Sequence, residues 1–127
     1  SVFHYPLTGW TDAVVMNVLM GLATHHAVGE MALCSYQPLA EVMREILPRE
    51  TRHMELGVEG LERIGATDEA KTSVAYWMPR VAETFGPAIS ERFEKQKAMG
   101  LRHTDNETLR TAWRSEAESV LSDLGLN

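Results

Sequence analysis

From Ala13 to Gly29 the sequence carries no Asp, Glu, Lys or Arg. That stretch is shorter than the run of about 20 apolar residues that spans a bilayer. It also contains Asn17, His25, His26 and two glycines. A helix this apolar on every side has to be wrapped by other elements, so the rest of the chain must supply helices or strands to cover it.

The remainder predicts helices. No segment alternates with period two, whereas helix starts and stops recur throughout. After an extended opening over Ser1–Gly9, Thr8 or Thr11 is expected to cap a first helix reaching about Cys34. Pro38 suits the first turn of a second helix, which should run to about Ile64 and stop at Gly65. Pro48 lies inside it and predicts a kink near Leu47. Thr67, followed by Asp68 and Glu69, opens a third helix that ends near Phe85-Gly86-Pro87, with Pro79 as a bend. A weaker fourth helix is expected over Ala88–Ala98. Thr104 or Asp105 caps a fifth over Asn106–Asp123. Short joins between long helices imply antiparallel neighbours, so the expected fold is all-α: a ferritin-like antiparallel bundle, half or partial, of about five helices in one domain over 1–127. The fourth and fifth helices are more charged and belong at the periphery or against a partner.

Charge and composition exclude several function classes. The net charge is −6 and no Lys/Arg run stands out, which argues against a nucleic-acid partner. Arg80, Arg92, Lys95, Lys97 and Arg102 are expected on solvated surface rather than at CoA phosphates. The lone Cys34 precludes an internal disulfide and reads as a packed thiol. With no signal peptide, it predicts a reducing, cytoplasmic setting. The chain opens on Ser1 rather than methionine, which predicts a processed or truncated product. Trp77, with Val74, Val81 and Phe85, reads as core. The methionines at 16, 20, 31, 43, 54 and 78 read as core fillers.

One pattern carries chemistry. On the second helix Leu39, Val42, Met43, Ile46, Leu47, Met54, Leu61 and Ile64 are predicted to form a single apolar face centred near Ile46 and Gly57. Glu50 and His53 fall on that face and are expected to turn toward the core. An inward carboxylate needs a compensating partner, and a metal ion is one. Glu-x-x-His places a carboxylate and an imidazole on adjacent positions of one helix face, the repeated element of carboxylate-bridged di-iron sites. Such a donor set suits iron or manganese. Pairing of Glu50 with an arginine and a hydrogen-bonded core histidine at 53 are the plainer alternatives. His25 and His26 diverge by about 100° and read as satisfied core or interface histidines. Glu30 reads as solvated or paired.

Taken together, Ser1-Val2-Phe3-His4-Tyr5-Pro6, Trp10 with Asp12, Ser35-Tyr36-x-Pro38, Glu50-x-x-His53, Tyr76-Trp77-Met78-Pro79, Phe85-Gly86-Pro87, His103 to Arg110 and Leu124-Gly125-Leu126 resemble the phenylacetic acid catabolic family. The likeness is to the C-terminal half of its epoxidase catalytic subunit. It implies a multicomponent monooxygenase in which non-haem di-iron activates dioxygen and an oxygen atom enters the ring of an aromatic CoA thioester. It implies as partners a reductase and a homologous subunit. Glu50 and His53 match the second Glu-x-x-His of the family. Another acidic ligand is expected 29 residues before that Glu, where this chain has Gly21, and His25 lies one turn further along. The first Glu-x-x-His falls in the half with no counterpart here. One such motif supplies half a ligand set, so the resemblance leaves three expectations: further polypeptide, a homo-oligomer that pairs two copies of Glu50 and His53, or a degenerate, non-catalytic site.

Overall fold

A computed structural model describes residues 9–127; the expected extended opening and Thr8 cap lie outside the described residues. The described chain is helical throughout its regular elements: α1 (Trp10–Met31), α2 (Gln37–Ile64), α3 (Asp68–Ala82) continued by a 3-10 turn (Glu83–Phe85), α4 (Glu91–Ala98) and α5 (Asn106–Asp123). The all-α expectation holds, with five α-helices.

α1 is the central helix. Val15, Leu19 and Leu22 are buried against Leu61 of α2, Trp77 and Val81 of α3, and Trp113, Ala117 and Leu121 of α5. Each fully buried side chain of this size contributes on the order of 1.5–3 kcal/mol. The Trp113 indole donates to the Leu19 carbonyl at 3.1 Å, so the polar edge of a fully buried ring is satisfied. No described helix is long and apolar enough to cross a membrane.

α1 and α2 are antiparallel. A Cβ built on Gly21 would meet Met54, one on Gly57 would meet Val18, and one on Gly60 would meet Val14. These pairs step in opposite directions along the two helices, and a small residue at each contact lets the backbones approach closely.

The local signals explain most boundaries. Thr67 Oγ1 accepts from the Ala70 amide at 3.1 Å, and Asp105 accepts from the Thr108 amide at 2.7 Å, so both expected caps on α3 and α5 are formed. Gly65 ends α2 with φ of 83°, a conformation that favours glycine. Two starts differ from expectation. α1 begins at Trp10 behind Gly9 with no side-chain cap, which leaves Thr11 inside the first turn. α4 begins three residues later than Ala88, because Ser90 Oγ accepts from the Phe93 amide at 3.1 Å and fixes the first turn there. α1 also stops short of Cys34; the amides of Leu33 and Cys34 reach back only three residues, to Glu30 and Met31, and Ser35 turns to the Gly100 carbonyl. α2 runs unbroken through Pro48, which is exposed and so places its ring in solvent. Thr51 Oγ1 donates to the Leu47 carbonyl at 2.9 Å in the same turn.

Candidate metal-ligand site

Glu50 and His53 share α2, but the second helix has two apolar stripes where one was expected. The first packs on α1: Ala40 and Leu61 are fully buried, and Met54 and Val58 are packed against the core. The second runs through Val42, Ile46 and Leu56, which are 48%, 38% and 46% exposed. At about 100° per residue, His53 belongs to the second stripe and Glu50 sits on the border between the two. Accordingly Glu50 is half-buried and His53 is exposed. The expected inward turn is therefore corrected for His53, while Glu50 is turned only partly inward. Merging the two stripes puts their average direction in the core, whereas the seam with α1 lies on one edge of it.

The neighbours of the pair are described by α1. Gly21 lies against the Met54 backbone and offers no donor atom. Its Cβ would come no closer than 3.9 Å, so the backbone leaves room for a first side-chain atom. His25 Nδ1 lies 3.4 Å from Thr51 Oγ1, beside Glu50 in sequence. Because Thr51 gives its own proton to Leu47, its oxygen is left to accept from His25 Nδ1. His26 points the other way, and its Nε2 donates to Glu116 at 2.8 Å. The two histidines are thus satisfied and divergent, as expected. Among the described residues, no three His, Cys, Asp or Glu side chains are grouped so as to hold a metal ion.

Two buried carboxylates have other work. Asp12 is 5% exposed and accepts the Trp77 indole N–H at 2.7 Å. Glu30, also 5% exposed, accepts from the backbone amides of His103 and Thr104, with Arg102 Nε at 3.7 Å. Burial alone would raise the Glu30 pKa, but the two amides and the Arg102 charge outweigh it and hold the carboxyl below its ordinary value. Glu30 is therefore a paired structural acid joining the end of α1 to the segment before α5. The sequence signal for both was available: an acid at each end of an otherwise charge-free helix.

Cys34 is buried, and its sulfur accepts from the Tyr36 amide at 3.4 Å, which bears out the packed thiol. Arg80 folds back over the Tyr76 ring at 3.6 Å. Arg102, expected in solvent, is instead only 21% exposed along its side chain.

Residues 1–127 match the family described as phenylacetic acid catabolic protein. Over 95 residues the chain is 32% identical to the A subunit of 1,2-phenylacetyl-CoA epoxidase from Escherichia coli (strain K12). That alignment takes in 68% of this chain and 30% of the relative, so the chain spans about 30% of the length of the curated relative it matches. The ferritin-like expectation is consistent with this match and with the all-helical fold. The extent of the match, end to end, is what decides the assignment: this chain belongs to the phenylacetic acid catabolic protein family.

Proposed function

We propose that this chain is a ligand-bearing part of the oxygenase component that epoxidises the aromatic ring of phenylacetyl-CoA, with Glu50 and His53 as ligands to non-haem iron. The observation that carries this reading is the placement of the two side chains. They lie three residues apart beside a stripe of uncovered apolar residues, Val42, Ile46 and Leu56, on a helix whose neighbouring stripe is already packed on α1. A face of this kind is built to receive another helical surface, and that surface would bring the remaining ligands.

The residues fit half of a di-iron group. Glu50 offers a carboxylate and His53 an imidazole, the Glu-x-x-His donor set that suits iron in ferritin-like bundles. Gly21 supplies nothing, and no third donor joins them among the described residues. When complete, such a centre supplies dioxygen activation. This chain's own part is to present the two donors from one rigid helix and to hold them at the edge of a dry interface. The remaining ligands would come from further polypeptide, from a homologous subunit or from a second copy. Electrons would come from a reductase, and the oxygen acceptor is an aromatic CoA thioester.

A second reading is favoured by Gly21. Without an acid there, the chain would serve as a non-catalytic ferritin-like partner whose Glu50 and His53 remain from a degenerate site.

Iron content after anaerobic Fe(II) loading separates the two. The first reading expects bound iron that falls sharply in Glu50→Ala and His53→Ala. Fewer than about 0.2 equivalents, unchanged in both variants and in the presence of the homologous subunit, leaves the second reading.

A further inference from the structure

The contacts that set α1 against α2 also fix which residue of α1 is level with Glu50. Gly21 meets Met54 and Val18 meets Gly57, so the antiparallel helices pass each other turn for turn. One turn on from Gly21 along α1 is His25, and one turn back from Met54 along α2 is Glu50. The contact of His25 with Thr51, next to Glu50 in sequence, falls at the same level of the seam. His25 and Glu50 are both half-buried there.

Thr51 decides which nitrogen of His25 carries the proton. Its hydroxyl proton goes to the Leu47 carbonyl at 2.9 Å, and its oxygen, 3.4 Å from His25 Nδ1, is left to accept. Nδ1 is then the protonated nitrogen, and the lone pair sits on Nε2 at the other edge of the ring. Among the described residues neither Nε2 nor the Glu50 carboxylate has a hydrogen bond or an ion pair. Two electron-pair donors at one level of a half-buried seam are satisfied together by a single divalent cation. A histidine whose other ring N–H is already held by an oxygen is also the form in which imidazole ligates a metal. In the metal-free chain no three such donors are grouped, so the arrangement is a pair across the seam, one donor from each helix.

We propose that His25 Nε2 is the donor α1 contributes to a divalent metal ion bound by Glu50, and that Thr51 is a positioning residue that holds His25 in the ligating tautomer. This rests on the reading of Glu50 as a metal ligand and names the residue that meets the same ion from the neighbouring helix.

Zn(II) is the probe, since it is diamagnetic and binds nitrogen and oxygen donors more tightly than Fe(II). Imidazole nitrogen chemical shifts of the full chain are recorded at neutral pH with and without it. Without zinc, His25 is expected in the Nδ1–H tautomer; with zinc, its Nε2 signal moves while Nδ1 keeps its proton. His25→Gln and Glu50→Ala should each weaken zinc binding about tenfold or more in calorimetric titration. Thr51→Val should lose the tautomer preference and weaken zinc about tenfold, and Thr51→Ser should restore both. If His25→Gln does not fold, the shifts of the unmutated chain and the Thr51 pair decide. An Nε2–H tautomer at His25, a proton shared between His25 and Glu50, an Nε2 signal that zinc leaves unmoved, or undiminished zinc binding in folded His25→Gln would each overturn the proposal. Zinc binding lost in Glu50→Ala but kept in His25→Gln removes His25 alone and leaves Glu50 a ligand. Absence of zinc binding in the parent chain removes both.

Discussion

Asp12 Oδ1 accepts the Trp77 indole N–H at 2.7 Å in a fully packed environment, joining the first turn of α1 to the middle of α3. Position in the first turn favours the negative charge through the helix dipole. Trp77→Phe removes the donor and leaves a cavity beside it. It is expected to lower stability by about 2–4 kcal/mol, seen as a lower midpoint in urea with an unchanged slope. A loss below about 0.5 kcal/mol would mean that the ring contributes little to the core.

Glu30 makes stability acid-sensitive. Its pKa is held below the ordinary value near 4.5 in the folded chain, so its contribution is complete above that value and is lost as pH falls through the lower, folded value. Glu30→Ala strands the amides of His103 and Thr104 and should cost about 1–3 kcal/mol at pH 7. Both amides use the same oxygen, Oε1, so Glu30→Gln keeps an acceptor and should cost less while flattening the acid limb of the stability–pH curve. An acid limb unchanged in Glu30→Gln would assign that sensitivity elsewhere.

Gly21 lies inside a helix with room for a methyl group, since the nearest atoms to its Cβ position are Met54 atoms at 3.9 Å. Gly21→Ala should therefore stabilise by roughly 0.5–1 kcal/mol through helix propensity. Gly21→Glu places a carboxylate on the same helix pair as Glu50 and is expected to raise iron uptake over the parent chain. Thermal melts check the first, and elemental analysis after Fe(II) loading checks the second. Equal iron in parent and Gly21→Glu would count against Glu50 and His53 as ligands.

His53 is exposed, so His53→Ala should change the stability of the isolated chain by no more than about 0.5 kcal/mol. Ile46→Gln should be similarly mild, because Ile46 is 38% exposed. A larger loss, measured by denaturant unfolding at low protein concentration, would place these side chains in a packed interior.

Helix order, the Thr67 and Asp105 caps and the Gly65 stop are all legible in the sequence, because each depends on a few neighbouring residues. The core role of Trp77 is equally legible. Direction around α2 is not. Val42 and Ile46 look like core residues to a periodicity argument, and it takes the Gly21–Met54, Val18–Gly57 and Val14–Gly60 contacts to show which edge of the apolar band meets α1. The inward expectation for His53 fails for that reason. The Glu30–Arg102 contact is also hidden, since it joins residues 72 positions apart and no local pattern encodes it.

Ser35 and Gly100 hold the two ends of that long excursion together. Ser35 donates its amide to the Gly100 carbonyl at 2.9 Å and its hydroxyl to the Met99 carbonyl at 3.1 Å, and Gly100 has φ of 75° with no space beside Ser35 for a Cβ. Closing so long a loop is entropically slow compared with zipping neighbouring helices. This end of the molecule should accordingly assemble after the α1–α2 hairpin and be among the first parts to exchange its amide hydrogens.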